Sequence, residues 1–445
     1  MSGRSNTIYQ RPLEILRNLV RYDTTNPPGN ERACIQYLDG LLRDAGIETT
    51  ICAKVPERPS LVARLPGRGE APPLMLYGHV DVVTTVGQVW QHPPFAGEIA
   101  DGCLWGRGTL DMKGAMAMML AAMLRAKAEG FAPAGDLLYV ALADEENAGI
   151  YGARYMVDEH PELFQGVRYA LGELGGFPLY IGGKRFYGIQ VAEKQVCRME
   201  AKVRGPAGHA SMPIRGGTMA KLAKMLATLD QRRLPVHITP VARMLLEGVA
   251  EGLGEEGRFA RQLLDPAQTD GVLDALGAEG LLFNAMLHNT VSPTIVQGGH
   301  QANVIPSEAT VLLDGRALPG FRSDDVLAEV QALLGPEVEL SLVRYDPGPQ
   351  ENPDMGLFGL LGDALREADP AAIPIPYMLA ATTDARFFAK LGIQTYGYTP
   401  MNLPPDINVL RSAHNADERA PVECIDFGAE VLYRVVQRYR GKHAA

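Results

Sequence analysis

Apolar runs alternate with helical stretches in the first part of the chain. The runs Ser60–Leu65, Leu74–Tyr77 and Asp136–Leu142 are short and rich in apolar residues, which is typical of strands buried on both faces. Helices are predicted within residues 8–46 and over Met112–Glu129. Because strands that alternate with helices form sheets with covered faces, this region is predicted to be α/β, with a mixed, mostly parallel sheet flanked by helices.

A different order of elements begins near residue 196. Strand, helix, two strands, helix and strand follow one another, which is the order of a small ferredoxin-like α+β unit. These six elements are predicted at Val196–Val203, Thr218–Asp230, Ser292–Gln297, Ala309–Leu313, Asp324–Leu334 and Val338–Val343. A helical insertion near residues 240–288 separates the first helix from the second strand.

The α/β style returns after Asp346–Asp354 and continues to the end of the chain. We therefore predict one α/β domain formed by residues 1–195 and 347–445, split by an inserted α+β domain at residues 196–346. The length of 445 residues fits this division because it exceeds the usual size of a single domain.

Composition narrows the class of protein. The formal net charge of -10 argues against nucleic acid or an anionic membrane as a partner. None of the five cysteines forms a CxxC pair, so neither a disulfide framework nor a thiolate metal site is indicated. No apolar stretch approaches the roughly 20 residues that span a bilayer, and the N-terminus lacks the apolar centre of a signal peptide. A cytoplasmic protein is expected.

Polar residues able to bind metals follow apolar strands at three points. His79 and Asp81 stand in GHVDVV, two positions apart on one side of a strand, so the carboxylate can reach the imidazole. The acids Asp144–Glu146 follow DLLYVAL, and adjacent acids repel one another unless cations or protons offset them. Glu173 follows the next short strand. Taken singly, a structural His–Asp pair, a solvated turn and a surface acid would account for these residues.

Two further residues change that interpretation. Asp111 in GRGTLDMKG precedes a helix, which it could cap, or it could offer one oxygen to each of two metals. His414 in SAHNADE is one histidine near the C-terminus. With the strand-end residues they supply two histidines and three carboxylates, a ligand set that suits Zn²⁺, with Mn²⁺ or Co²⁺ as alternatives. Glu145 is then spare beside the ligand Glu146, as general-base hydrolysis requires.

In this order the segments resemble the family of aminoacylase, carboxypeptidase G, carboxypeptidase S, acetylornithine deacetylase and succinyl-diaminopimelate desuccinylase, which are two-metal zinc hydrolases. The resemblance covers nearly the whole chain, through DTTNPPGNE, GHVDVV, GRGTLDMKG, DEENAG, GPAGHASMP, NVIP, TTDARF and SAHNADE. It implies a zinc-peptidase-like catalytic domain, an inserted domain that acts in lid closure and dimerisation, and two Zn²⁺ ions per chain.

The resemblance also implies how the ligands divide. His79 and Glu173 would hold one metal, Glu146 and His414 the other, and Asp111 would bridge them. One departure concerns Glu173, which lies in GELGGF where relatives commonly show GEP.

Three catalytic roles are implied in the same way. Asp81 would orient His79, and Glu145 would act as general base, taking a proton from the bridging water and passing it to the leaving amine. His209 in GPAGHAS would stabilise the developing oxyanion, in its own active site or in that of a partner subunit. The peptide bond after Asp111 is expected to be cis.

Two residues are expected to bind a substrate carboxylate. They are Asn303 in QANVIP and Arg386 in TTDARFF, and the fork of an arginine can engage a carboxylate bidentately. A turn-capping asparagine and a surface salt bridge are the alternative interpretations. Relatives often carry glycine just before the Asp-Ala-Arg run, whereas this chain has Ala381-Thr382-Thr383.

The predicted function is hydrolysis of the amide bond of an N-acyl-amino acid or dipeptide with a free carboxylate, closest to the aminoacylase and carboxypeptidase S branches. One alternative is an aminopeptidase, against which Asn303 and Arg386 argue. The other is a non-catalytic metal-binding protein on the same fold. A homodimer through the inserted domain is implied by the resemblance only, since the pattern does not separate it from a monomer.

Overall fold

The structure is a computed structural model that describes residues 5–348 and 351–441. The described chain from Ser5 to Glu193 forms four α-helices and nine strands. The helices are α1 (Pro12–Val20), α2 (Arg32–Asp44), α3 (Lys113–Ala128) and α4 (Ala153–Glu159). The strands are β1 (Glu48–Ala53), β2 (Pro59–Leu65), β3 (Leu74–His79), β4 (Glu98–Ala100), β5 (Cys103–Trp105), β6 (Leu137–Leu142), β7 (Tyr169–Gly172), β8 (Phe177–Ile181) and β9 (Lys184–Glu193).

The middle of the chain contains the predicted ferredoxin-like elements and the helical insertion. Its helices are α5 (Thr218–Gln231), α6 (Pro240–Leu253), α7 (Arg258–Leu263), α8 (Pro266–Leu276), α9 (Gly280–Leu287) and α10 (Ser323–Leu334). Its strands are β10 (Gln195–Arg204), β11 (Gly208–His209), β12 (Thr290–Gly298), β13 (Val304–Ile305), β14 (Glu308–Ala317) and β15 (Glu339–Asp346).

The last part of the chain adds strands to the sheet that β1–β3 and β6–β9 form. Its helices are α11 (Phe358–Ala368), α12 (Ala385–Phe388), α13 (Val409–Ser412) and α14 (Val422–Arg438). Its strands are β16 (Ile373–Leu379), β17 (Gln394–Gly397) and β18 (Arg419–Pro421).

Two compact units divide the chain. The first combines residues up to Val191 with Pro353–Tyr377 and residues from Thr383 onward, and the second combines Ala192–Asn352 with Met378–Thr382. No pattern in the sequence predicts that Met378–Thr382 belongs to the second unit. Met378 and Leu379 end strand β16, which lies outside the inserted stretch of the chain.

The main sheet is mixed, as predicted. Its order is β1-β2-β6-β3-β7-β17-β9-β16, with β8 paired to β9. The pairs β6–β3, β3–β7 and β7–β17 are parallel and lie at the centre, whereas β1–β2, β2–β6 and β17–β9 are antiparallel. Every residue of β3 and β6 is buried, which explains why their sequences read as apolar runs.

Helix α3 is apolar on all sides because it is enclosed on all sides. It contacts β3 and β6 of the sheet and also helices α1 and α14, and nearly all its residues are buried. A helix without a polar face is typical of such a position. Among the described residues, no helix combines the length and apolar character needed to cross a bilayer.

The second unit contains an antiparallel sheet of order β12-β14-β10-β15. With chain order β10, α5, β12, β14, α10 and β15, this is the ferredoxin-like arrangement. Helices α5 and α10 contact the sheet, and the alternating buried residues of β10 and β14 form its core with them. The four helices α6 to α9 occupy the predicted insertion.

A buried lysine lies at the start of this sheet. Nζ of Lys194 donates to the carbonyl of His288 at 2.9 Å and to Oγ1 of Thr290 at 2.8 Å. Burial, together with the positive charge of Arg316, lowers the pKa of Lys194 to about 7. The folded protein therefore binds this proton less well than the unfolded chain does.

We expect the Lys194→Met variant to differ from the wild type in how the free energy of unfolding depends on pH. Between pH 7 and 8.5 the unfolded lysine is protonated and the folded one loses its proton, so this residue makes stability rise with pH. The free energy of unfolding of the wild type, minus that of the variant, should increase by about 1–2 kcal/mol across this window. Urea unfolding at several pH values measures the difference, and a difference independent of pH would contradict the expectation.

Candidate metal centre

Three strand ends meet at one edge of the main sheet. Strands β6 and β7 both pair with β3 in parallel, and open α/β sheets bind ligands at the carboxyl ends of such strands. His79 ends β3, the turn after β6 carries Glu145 and Glu146, and Glu173 follows β7. The sheet therefore places four of the expected site residues side by side.

Asp111 lies between two histidines. Its Oδ1 is 3.2 Å from Nε2 of His79, and its Oδ2 is 3.3 Å from Nε2 of His414. On the first side, Oε2 of Glu173 lies 3.3 Å from Nε2 of His79. On the second side, Oε2 of Glu146 lies 3.2 Å from Nε2 of His414. The five residues expected to be ligands thus lie together, with the two oxygens of Asp111 turned to different sides. The peptide bond between Asp111 and Met112 is cis, as predicted.

Asp81 contacts His79 through a different atom from the one expected. Nδ1 of His79 donates to the main-chain carbonyl of Asp81 at 2.9 Å, whereas the carboxylate is 3.6 Å away. Because a carbonyl only accepts, Nδ1 carries the hydrogen and Nε2 is left to bind a metal. The Asp81 carboxylate instead accepts from the main-chain N–H groups of Glu145 and Glu146, each at 3.1 Å.

The residues that support this turn were not predicted from the sequence. The amide of Asn26 donates to Asp81 at 2.8 Å and to Asp144 at 3.0 Å. The guanidinium of Arg58 forms ion pairs with Asp144 at 2.9 Å and with Glu31 at 2.7 Å. All five side chains are buried, so the turn is held by a network closed to solvent. The motif NPPGNE, which contains Asn26 and Glu31, was the available signal.

The pKa values of the site residues are shifted because several acidic side chains lie close together with little access to water. Burial raises the pKa of Glu145 well above its usual value, and the negative charge of Glu173 raises it further. Burial also raises the pKa of Glu146 to about 7, although the hydrogen bond with His414 opposes this. Hydrogen bonds with Asp111 and Glu146 raise the pKa of His414 to about 10. The carboxylates outnumber the histidines, so the site carries an excess of negative charge that bound cations can offset.

This donor set fits divalent metal ions. Two groups offer ligand atoms that all lie within 4.8 Å of one another, namely His79, Glu145 and Glu173, and His79, Asp111 and Glu146. Oε1 of Glu146 is buried without a hydrogen-bond partner among the described residues, as expected of an atom reserved for a metal. Imidazole and carboxylate together are the ligands of catalytic zinc sites.

Two buried polar side chains, Asp384 and Arg386, lie beside the turn at Glu145. Both oxygens of Asp384 and Nε of Arg386 lack a hydrogen-bond partner within residues 5–348 and 351–441. Burial raises the pKa of Asp384 to about 8, with the charge of Arg386 opposing the rise. The carboxylate leaves no room for a side chain at Gly149, where a Cβ would lie 2.9 Å from Oδ1. The sequence predicts a role for Arg386 but gives no signal for Asp384, two positions earlier.

His209 and Asn303 belong to the second unit and lie next to each other there. His209 pairs with Val304 between β11 and β13, and the N–H of Ala210 donates to the carbonyl of Asn303 at 3.0 Å. The side chain of His209 is exposed and its Nδ1 lies 2.7 Å from Oγ of Ser211. The two residues therefore form one exposed polar site of the second unit.

Comparison with known proteins identifies the class of protein. The chain belongs to the peptidase family M20/M25/M40, whose family model matches residues 75–438. It is similar to a probable carboxypeptidase S-like protein of Dictyostelium discoideum, at 27% identity over 85% of this chain and 74% of that protein. It is also similar to an N-fatty-acyl-amino acid synthase/hydrolase of Xenopus tropicalis, at 28% identity over 82% and 72%.

A solved structure shares the fold. It is an M20 family metallo-carboxypeptidase from Sulfolobus solfataricus, with a TM-score of 0.67 and 16% identity over 97% of this chain and 99% of that one. Family and fold together make this chain a metal-dependent peptidase or amidohydrolase.

We expect chelation to lower the thermal stability of the protein. Divalent ions that bind only the folded state stabilise it, by about 4 kcal/mol at a concentration 1,000 times the dissociation constant. Treatment with a chelator should therefore lower Tm, and added Zn²⁺ should restore it. In His414→Ala, which alters a side chain that is 53% exposed, the gain from Zn²⁺ should be smaller. A wild-type Tm that does not respond to Zn²⁺ would contradict the metal centre.

Proposed function

We propose that the protein hydrolyses the amide bond of an N-acyl-amino acid or a dipeptide that carries a free carboxylate. The observation that supports this most directly is the position of Asp111, whose two oxygens face His79 and His414 on different sides. Such an arrangement suits two Zn²⁺ ions that share one carboxylate, with Mn²⁺ or Co²⁺ as alternatives. Glu145 lies beside it, within 4.8 Å of His79 and Glu173 as measured between ligand atoms.

Each residue has a separate task in the proposed reaction. When bound, two divalent ions polarise the amide carbonyl and make water a nucleophile at neutral pH. The carboxylate of Glu145 accepts the proton of the attacking water and delivers it to the nitrogen of the leaving amine. Asp81 holds the backbone of Glu145 and Glu146 through its carboxylate, so the base and its neighbouring ligand keep a fixed spacing. His209, which lies in the second unit, stays a predicted oxyanion-stabilising residue, in its own active site or in that of a partner subunit.

The free carboxylate of the substrate is assigned to Arg386, whereas Asn303, which the sequence also predicts for this role, lies in the second unit and stays a prediction. Nε of Arg386 is buried without a partner in the described part of the chain, so a ligand anion would satisfy it. The relatives support the same substrate class, since one is named a carboxypeptidase and another an N-fatty-acyl-amino acid synthase/hydrolase. In an aminopeptidase the substrate group that must be recognised is the free amine, for which this guanidinium offers no partner.

We further propose a cytoplasmic homodimer formed through the second unit. The five cysteines are all unpaired, as in a reducing compartment. Strand β12 is an edge strand on which Ile295 and Val296 are about half exposed. Apolar edge strands readily pair with another chain, which supports dimerisation at this edge.

The Glu145→Gln variant tests the proposed base. We expect kcat to fall by about 10²–10⁴-fold, the usual contribution of a positioned general base, while KM and the bound zinc change little. Glu162→Gln is the matched control, since Glu162 is an exposed acid on the chain segment after α4 and should leave kcat unchanged. Wild-type turnover by Glu145→Gln would exclude the assignment.

A substrate panel tests the proposed carboxylate recognition. N-acetyl-amino acids, longer N-acyl-amino acids and dipeptides should be hydrolysed, whereas the corresponding C-terminal amides should be poor substrates. In Arg386→Lys the difference between acid and amide should shrink, chiefly through KM, because an ammonium lacks the bidentate fork. Preference for peptide amides with a free amine would instead support an aminopeptidase, and zinc binding with no turnover on any substrate would support a non-catalytic protein.

A further inference from the structure

Glu418 is a buried acid whose carboxylate is fully occupied by donors. Its Oε1 accepts from the main-chain N–H of Leu110 at 2.8 Å and of Asp111 at 3.2 Å. Its Oε2 accepts from the N–H of Gly108 at 3.1 Å and from Arg107 at 2.6 Å. A carboxylate has about four sites for donors, so no further donor is needed. The acid therefore binds the backbone of the loop that leads to the bridging residue.

Arg107 extends the same network to the other side of the centre. Besides Glu418, its guanidinium donates to the carbonyl of Asn415 at 3.2 Å and to Oε1 of Gln88 at 2.8 Å. The amide nitrogen of Gln88 in turn donates to the carbonyl of His414 at 2.8 Å. Thus one connected set of hydrogen bonds runs from the backbone of the Asp111 loop to the backbone of His414.

The loop at residues 106–112 belongs to no regular helix or strand. Its N–H groups have no ladder partner, and a buried N–H without an acceptor costs about 1–3 kcal/mol. Glu418 supplies the acceptor for three of them. Glu418 therefore stabilises one conformation of the loop, and this conformation fixes the position of Asp111.

We propose that Glu418 is a positioning residue of the metal centre, and that Arg107 and Gln88 transmit its effect to His414. Through this network the bridging ligand and the histidine of the second metal are held at one spacing before a metal arrives. Outer partners that orient ligands typically change metal affinity by about 10–100-fold when they are altered. The inference rests on the proposed two-metal centre but not on any substrate.

Measurement of Zn²⁺ affinity tests the proposal. The chelator-treated protein is titrated with Zn²⁺ in competition with a chromophoric chelator. We expect Glu418→Gln to bind Zn²⁺ about 10–100-fold more weakly than the wild type, since the introduced NH₂ group would face donors from Arg107 and Gly108. Gln88 is only partly buried and lies outside the apolar core. Gln88→Ala should weaken binding by about fivefold, because it removes the hydrogen bond by which the network reaches the carbonyl of His414.

A matched control separates positioning from general stability. The carboxylate of Asp369 is also buried and accepts from Arg185 at 2.7 Å and from Tyr187 at 2.9 Å. Asp369→Asn should lower the free energy of unfolding of the metal-free protein yet leave Zn²⁺ affinity unchanged. An equal loss of affinity in this control would overturn the proposal, because destabilisation alone would then account for the effect.

The remaining outcomes are equally decisive. Wild-type Zn²⁺ affinity in folded Glu418→Gln would overturn the positioning role. Should that variant fail to fold, Gln88→Ala decides the matter, and unchanged affinity there would overturn it as well. Absence of Zn²⁺ binding by the wild type would instead reject the two-metal centre itself, so the two failures are distinguishable.

Discussion

Repulsion between crowded carboxylates is the constraint around which the first unit is organised. Asp111, Glu145, Glu146 and Glu173 converge at the edge of one sheet. Asp111 and Glu173 are buried and Glu145 and Glu146 are partly buried, so little water screens their charges. The raised pKa of His414 reflects this excess of negative charge, and two histidines can offset only part of it. Divalent cations would remove the conflict, because each would bring two positive charges to ligands already in place.

The ligands do not hold this arrangement by themselves. Two buried ion pairs support the loops that carry the proposed ligands. Arg58 pairs with Asp144, at the beginning of the turn that contains the proposed base. Arg107 pairs with Glu418, whose carboxylate binds the backbone of the Asp111 loop. Separating the partners of a buried ion pair leaves an uncompensated charge, so any rearrangement of either loop that breaks its pair is energetically costly.

Much of this organisation could be predicted from the sequence. Continuous apolar runs predicted strands β3 and β6, and polar residues directly after them predicted where a site would form. The supporting contacts could not be predicted, because Arg107 and Glu418 are 311 residues apart in the chain and nothing local marks them as partners. Strands β1, β8 and β9 were missed since polar residues interrupt their apolar ones. The contact of His79 with Asp81 was placed on the carboxylate, because residue spacing does not distinguish a side-chain acceptor from a main-chain one.

The metal centre and the recognition of substrate are separate problems in this protein. The proposed chemistry of the centre acts on any amide carbonyl, and relatives with the same family membership carry the names of a carboxypeptidase and an N-fatty-acyl-amino acid synthase/hydrolase. Specificity must therefore come from residues that are not ligands. In the first unit, the buried side chains of Asp384 and Arg386 have polar atoms without hydrogen-bond partners among the described residues. Such atoms discriminate strongly between substrates, because a substrate that does not pair with them leaves them desolvated. This pair, rather than the ligands, is where substrates would be distinguished.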